Sequence, residues 1–161
     1  MYRIALVCLG NICRSPMAHV VLEQRITAAG FDDRVAVTSA GTGDWHTGQP
    51  MDRRAAAVLQ ESGYDPSRHI ARTFTIDWYA ENDLLLAMDE SNYANMAELS
   101  PTVSSLAKLH IFREFDPQSS AHDIEVPDPW YGGDDGFSDV LAMVERTVDG
   151  LIVALPDLME S

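Results

Sequence analysis

Cys8 and Arg14 stand six residues apart within Val7-Cys8-Leu9-Gly10-Asn11-Ile12-Cys13-Arg14-Ser15-Pro16. That spacing suits a group that holds a phosphate and attacks it. Gly10 lets backbone approach a ligand closely, and Asn11 tolerates left-handed φ/ψ, so a tight turn is expected. Successive backbone N–H groups from Leu9 to Ser15 then form a concave anion nest, reinforced by the N-terminus of a following helix. Arg14 adds a planar fork matched to two phosphate oxygens. The nucleotide-binding pattern G-x-x-x-x-G-K-[ST] is absent. The loop opens instead on a cysteine, and a thiol facing aligned N–H groups and an Arg is favoured as thiolate. A thiolate in a phosphate cradle implies nucleophilic attack on phosphorus. A strand-end Cys taken alone is more often a small buried hydrophobe; the Gly-Asn turn, the Arg and the Ser-Pro helix start together argue against that.

Attack on phosphorus also needs a proton for the departing oxygen, which a positioned carboxylic acid supplies at a gain of ~10²–10⁴-fold. Among the acids, Asp128 stands out in Val126-Pro127-Asp128-Pro129-Trp130-Tyr131-Gly132-Gly133. Two prolines stiffen the backbone around it, and two aromatics follow. An acidic turn with surface aromatics has the same composition.

These residues need elements to hold them. Ile4-Ala5-Leu6-Val7 is a continuous apolar run, as in a strand buried on both faces of a parallel sheet. Ser15-Pro16 reads as an N-cap and first helical position, opening a helix from Met17 to about Ala29 that Gly30 ends. Val35-Ala36-Val37 reads as a second strand. Asp52 caps a helix through Ala55, Val58 and Leu59 that stops at Gly63. Leu84 to Met88 is a third strand, followed by a helix from about Glu90 to Leu99, broken before Pro101. Leu109 to Phe112 is a fourth strand. From Arg113 to Gly136, Pro, Asp, Gly and Ser predict a long surface loop, a kind that is often functional. Phe137, Val140, Leu141, Val144, Val148, Leu151, Ile152 and Leu155 mark one face of a last helix. The alternation predicts an α/β fold: a single domain over residues 1–161, with a four-stranded, mostly parallel sheet and helices on both faces. Ligands bind outside the carboxyl ends of such strands. Cys8, Ser39 and Asp89, each read as following a strand, are expected to gather there.

Composition narrows the partners. The net charge is −14, with eight Arg against seven acids in residues 1–72 and three basic residues against eighteen acids beyond. Such a surface repels nucleic acid and anionic membranes, and it serves solubility first. No apolar run approaches the ~20 residues of a membrane span, and the N-terminal run is too short for a secretory signal. Cys8 and Cys13 lie too close in sequence to staple distant elements, and no ligand set for zinc clusters around them. A soluble cytoplasmic protein that needs neither metal nor organic cofactor is expected, with a monomer as the default state.

Val7 to Ala18 (VCLGNICRSPMA), with Asp128-Pro129-Trp130-Tyr131, resembles the low-molecular-weight protein-tyrosine phosphatases, in a form closest to bacterial members. Ser39-Ala40-Gly41-Thr42, Trp45, His69-Ile70-Ala71-Arg72 and Asp89-Glu90-Ser91-Asn92 follow in the family's order, so the resemblance covers nearly the whole chain. The first motif is highly specific; the others support it. The resemblance implies that Cys8 forms a phosphocysteine intermediate, that Arg14 binds the phosphate, and that Asp128 is the acid and then the base. It implies that Ser15 donates to the Cys8 thiolate and that Asn11 shapes the loop with Ser39 and His69 as partners. Leu9, Ile12, Trp45, Trp130 and Tyr131 would wall a pocket deep enough for an aryl phosphate on tyrosine-phosphorylated proteins. Cys13 would trap oxidised Cys8 as a reversible disulfide, or simply pack. Trp130 stands where the family often has Tyr, which removes a phosphorylation site but keeps an apolar wall. His19 replaces a common Glu on the first helix, and is expected to lie away from the chemistry.

Three rivals share some of these features. Thioredoxin-coupled arsenate reductases need further cysteines, and none follows Cys13. Protein-arginine phosphatases would use the same Cys8, Arg14 and Asp128 but tend to carry a small Thr at the position of Ile12, so Ile12 favours phosphotyrosine. A non-catalytic phosphopeptide reader would be expected to lose Cys8 or Asp128.

Overall fold

Strand β1 (Tyr2–Cys8) occupies an inner position of a four-stranded sheet in the computed structural model, with β2 (Val35–Gly41), β3 (Leu84–Ala87) and β4 (Leu109–Ile111) in the order β2-β1-β3-β4. The structure describes the backbone of residues 1–161 and every side chain except those of Tyr131 and Asp134. All three strand pairings are parallel. The helices are α1 (Arg14–Ala28), α2 (Arg53–Glu61), α3 (Trp78–Glu81), α4 (Glu90–Glu98), α5 (Val103–Leu106) and α6 (Asp134–Glu160).

The apolar run in β1 is explained by burial on both faces. Ile4, Leu6 and Cys8 join one core with residues of α1, α2 and α6, while Ala5 and Val7 join a second with residues of α3 and α4. Ile4, Leu6 and Val7 are wholly buried, and each large side chain so placed is worth roughly 1.5–3 kcal/mol. The segment that leaves β1 therefore starts from a fixed point. Its neighbours β2 and β3 lie on opposite sides, so their connections diverge and open a crevice at the carboxyl edge.

Several boundaries differ from expectation. β2 runs on through Thr38, Ser39 and Ala40, pairing with Ala5, Leu6 and Val7; small polar residues hid its second half, and Ser39 lies within the strand. Helix α1 starts at Arg14 rather than after Ser15, with Met17 N–H bonded to Cys13 O at 3.0 Å. Ser15 is no cap, because its hydroxyl is turned to Cys8. Asp52 and Asp89 do cap α2 and α4 through their side chains. The four-residue α3 and α5 are too short to show a period. Helix α6 begins at Asp134, three residues ahead of its first core-facing side chain, Phe137, in a turn without apolar signal.

The segment between β4 and α6 is not free loop. It opens with a 3₁₀ turn at Phe112–Phe115 and holds another at Pro129–Tyr131. Arg113, 1% exposed, donates to Asp116 Oδ2 (2.9 Å), Asp123 Oδ1 (2.7 Å) and Glu125 O (2.9 Å). Arg146 of α6 donates to both oxygens of Asp116, at 2.7 and 2.9 Å. Burial alone would raise the Asp116 carboxyl, but the hydrogen bonds from Arg146, Gln118 and Arg113 outweigh it and bring it to about 2. Asp116→Ala leaves Arg113 buried beside a lost partner, and urea unfolding should show about 3–5 kcal/mol less stability. A loss below about 1 kcal/mol, the range of exposed pairs, would refute that role.

Candidate active site

The eight residues Cys8 to Ser15 form a loop whose carbonyls face outward. Cys8 O accepts from Thr42 N–H and Leu9 O from Gly43 N–H, both at 2.9 Å. Ile12 O accepts from Asp52 N–H at 2.9 Å, and Asn11 O from His69 Nε2 at 2.6 Å. Because peptide planes are trans, the N–H groups of Leu9, Gly10, Ile12 and Cys13 point the other way, into the loop. The loop lies directly on Gly41, where a Cβ would stand 2.7 Å from Leu9 O. Only glycine admits that approach.

Asn11 makes the turn. It is fully buried with φ of 57°, and its side chain is fully engaged. Nδ2 donates to Ser15 Oγ (2.8 Å) and Ser39 Oγ (3.0 Å), while Oδ1 accepts from Arg72 N–H (2.9 Å). Asn11 N–H donates to Cys8 Sγ at 3.2 Å, and Ser15 Oγ lies 3.0 Å from the same sulfur. Cys8 is 3% exposed, so the partners of its sulfur are these protein groups rather than bulk water. Burial, then the fields of His19 and Arg72, disfavour protonation of His69 although Asn11 O favours it; the ring therefore donates Nε2–H to the carbonyl as a neutral imidazole.

Arg14, 3% exposed, is aimed by Asp89 Oδ2 at 2.6 Å and Val126 O at 3.0 Å, both on Nη1. Burial opposes its charge, but Cys8, Asp89 and Asp128 outweigh that and hold it protonated. Asp89 also caps α4 through Asn92 N–H at 2.7 Å. Asp128 Oδ2 stands 3.8 Å from Arg14 Nη2, and Oδ1 accepts from Trp130 N–H at 3.0 Å. Val126 N–H bonds Met88 O at 2.8 Å, so the acid loop is tied to the end of β3.

Above Cys8 and Arg14 opens a cleft of about 280 Å³. Leu9, Ile12, Trp45, His46 and Trp130 wall it, and Cys13 and Asp128 also face it. Trp45 and Trp130 are exposed at the rim. The Tyr131 side chain lies outside the described residues. Burial, then the nearby charges of Asp52, Cys8 and Asp128, push the Cys13 thiol far up, so it stays protonated at neutral pH. The structure thus brings Cys8, Arg14, Asp128, Ser15, Asn11, Ser39 and His69 to one place.

Some residues went unread in sequence. Asp89 was placed at this edge without a task; it is Arg14's ion partner. His46 walls the cleft beside Trp45, and Arg54 packs its guanidinium over the Trp130 ring at 5.2 Å and the Phe137 ring at 4.6 Å. The Trp at 130 offers Arg54 the strongest face for such a cation–π contact. His19 is not remote: its Nδ1 lies 3.2 Å from Ser39 Oγ. Its spacing from Ser39 in sequence carried no sign of this, since the contact exists only once α1 packs on β2.

A buried sulfur ringed by N–H donors, a fixed guanidinium and a carboxyl above them can bind a tetrahedral oxyanion, attack it and protonate what leaves. The comparisons with known proteins agree with that chemistry. A family model for low molecular weight phosphotyrosine protein phosphatase matches residues 3–159. A low molecular weight protein-tyrosine-phosphatase of Streptomyces coelicolor is 43% identical over 159 residues, covering 99% of this chain and 96% of its own. The low molecular weight protein-tyrosine phosphatase A of Mycobacterium tuberculosis is 41% identical over 148 residues, 92% and 88% of the two chains. The crystal structure of a protein tyrosine phosphatase from Entamoeba histolytica, with Hepes in its active site, superposes with a TM-score of 0.91 at 32% identity, covering 98% of each chain. The chain belongs to the low molecular weight phosphotyrosine protein phosphatase family.

Proposed function

We propose that this protein hydrolyses phosphotyrosine in protein substrates through a phosphocysteine intermediate. The observation that carries this reading is Cys8 Sγ at the floor of an aromatic-walled cleft, with Arg14 beside it and Asp128 Oδ2 3.8 Å from the guanidinium. In the first step the Cys8 thiolate attacks phosphorus, the P–O bond to the tyrosine ring breaks, and Asp128 gives its proton to the departing phenolate. Arg14 and the loop N–H groups hold the equatorial oxygens as charge builds on them. In the second step water attacks phosphorus and loses a proton to the Asp128 carboxylate. The P–S electrons return to sulfur, and inorganic phosphate leaves.

Leu9, Gly10, Asn11, Ile12, Cys13, Arg14 and Ser15 would supply the phosphate cradle. Leu9, Ile12, Trp45, Trp130 and Tyr131 would flank the ring. If peroxide oxidises Cys8 to its sulfenic acid, the Cys13 thiol would condense with it to a disulfide, releasing water. Both cysteines are free, which fits a reducing compartment such as the cytoplasm. Among the described residues no helix is long and apolar enough to cross a membrane.

The test is phosphate release from one peptide carrying phosphotyrosine, phosphoserine or phosphoarginine, in reducing buffer with EDTA. Release from phosphotyrosine alone is expected, because a phosphoserine is too short to reach Sγ past the walls. Preference for phosphoarginine would keep the mechanism and overturn the substrate. No release from any peptide would favour a phosphopeptide-binding module.

A further inference from the structure

We infer that Gly43 is a positioning residue for substrate recognition: its lack of a side chain makes the seat of the Trp45 indole, and that seat fixes the wall an aromatic phosphate meets. The inference rests on the reading above of the substrate as an aryl phosphate.

A Cβ added at Gly43 would fall within the Trp45 ring, against Cζ3, Cε3 and Cη2, with the farthest of the three at 2.7 Å. The indole therefore lies directly on the Gly43 backbone. Backbone conformation does not explain this glycine. Left-handed φ among the glycines is confined to Gly30, Gly48 and Gly63, so the φ of Gly43 is open to other residues. What excludes a side chain there is the ring.

Trp45 has little else to hold it. It is 66% exposed, and among the described residues it has no aromatic or cation partner. Trp130 differs, with the Arg54 guanidinium 5.2 Å and the His46 ring 6.1 Å from its own ring. The seat of Trp45 is also registered to the nucleophile. Gly43 N–H donates to Leu9 O and Thr42 N–H to Cys8 O, both at 2.9 Å. Backbone hydrogen bonds thus carry the register from the start of the phosphate loop to the indole, and Cys8, Leu9 and Trp45 line one cleft. A side chain at position 43 would displace the ring while leaving the N–H donors of the loop where they are. Affinity for the aromatic part of a ligand is then lost, and affinity for its phosphate is kept.

Calorimetry on benzylphosphonate and on inorganic phosphate measures wall and cradle apart. Gly43→Ala should weaken benzylphosphonate binding by about 3–10-fold, the scale of one aromatic pair, and leave phosphate within about twofold. On a phosphotyrosine peptide the loss should appear in KM, with kcat within about twofold, as when binding common to ground and transition states is removed. In a Trp45→Ala background, Gly43→Ala should add nothing, because the ring is what the new methyl group meets first. Unchanged benzylphosphonate affinity in Gly43→Ala, an equal loss for phosphate, or additive losses with Trp45→Ala would overturn the inference. Should Gly43→Ala fail to fold, the double variant decides: folding restored by Trp45→Ala supports the seat, and continued misfolding means the glycine serves another purpose and refutes it. Absence of aryl phosphate turnover in the wild type would instead overturn the parent reading, and the two binding measurements would still judge the seat.

Discussion

Cys8→Ser abolishes phosphate release, with kcat expected to fall by roughly 10⁴-fold or more, the scale for losing a residue that forms the covalent intermediate in a site acting as a unit. A serine hydroxyl can occupy the same place, since Cys8 is buried at the end of a strand paired on both sides. The donors around it, Asn11 N–H and the Ser15 hydroxyl, suffice for a thiolate but not for an alkoxide. Everything that holds the phosphate remains. The loop carbonyls are still bonded outward, and Arg14 is still held by Asp89 and Val126 O. Binding of a phosphotyrosine peptide should therefore survive. Aryl phosphate turnover and calorimetric peptide binding check the two halves. Turnover within tenfold of wild type would mean that another group attacks phosphorus.

Asp128→Ala should lower kcat on a phosphotyrosine peptide by ~10²–10⁴-fold, the usual contribution of a positioned general acid. The carboxyl is partly exposed and accepts from Trp130 N–H, close enough to Arg14 to share its field, and no other acid is among the described residues facing the cleft. The loss should shrink as the leaving group improves, because a stable phenolate departs without a proton. A series of aryl phosphates of falling phenol basicity measures this, and the variant should show the steeper dependence. An equal loss across the series would remove Asp128 from the acid role and leave it as an electrostatic partner of Arg14.

The same particulars show where sequence reading works. Strand, turn and phosphate cradle lie in contiguous residues from Ile4 to Ser15, so period, glycine, asparagine and arginine all report on one local object. Asp128 was visible for a similar reason, flanked by two prolines and followed by aromatics. Ser15 was misread as a cap because local rules favour a serine before a helix. The left-handed turn at Asn11 lets the helix begin earlier and aims that hydroxyl at sulfur instead. Apolar period did not reveal the second half of β2, because its residues are small and polar, and it missed α3 and α5, because four residues complete barely one turn.

By itself the sequence pointed to the candidate nucleophile, arginine and acid and to the alternation of strand and helix, because each is a matter of residue type within a short window. The tertiary structure alone decided which partners those residues take. Asp89 holds Arg14 from 75 residues away, Val126 O from 112, and Ser39 reaches Asn11 across 28. His19 enters the site only because α1 packs against β2. A hydrogen bond is set by distance and direction within a few tenths of an ångström, and those are fixed when the sheet edge and its helices are assembled.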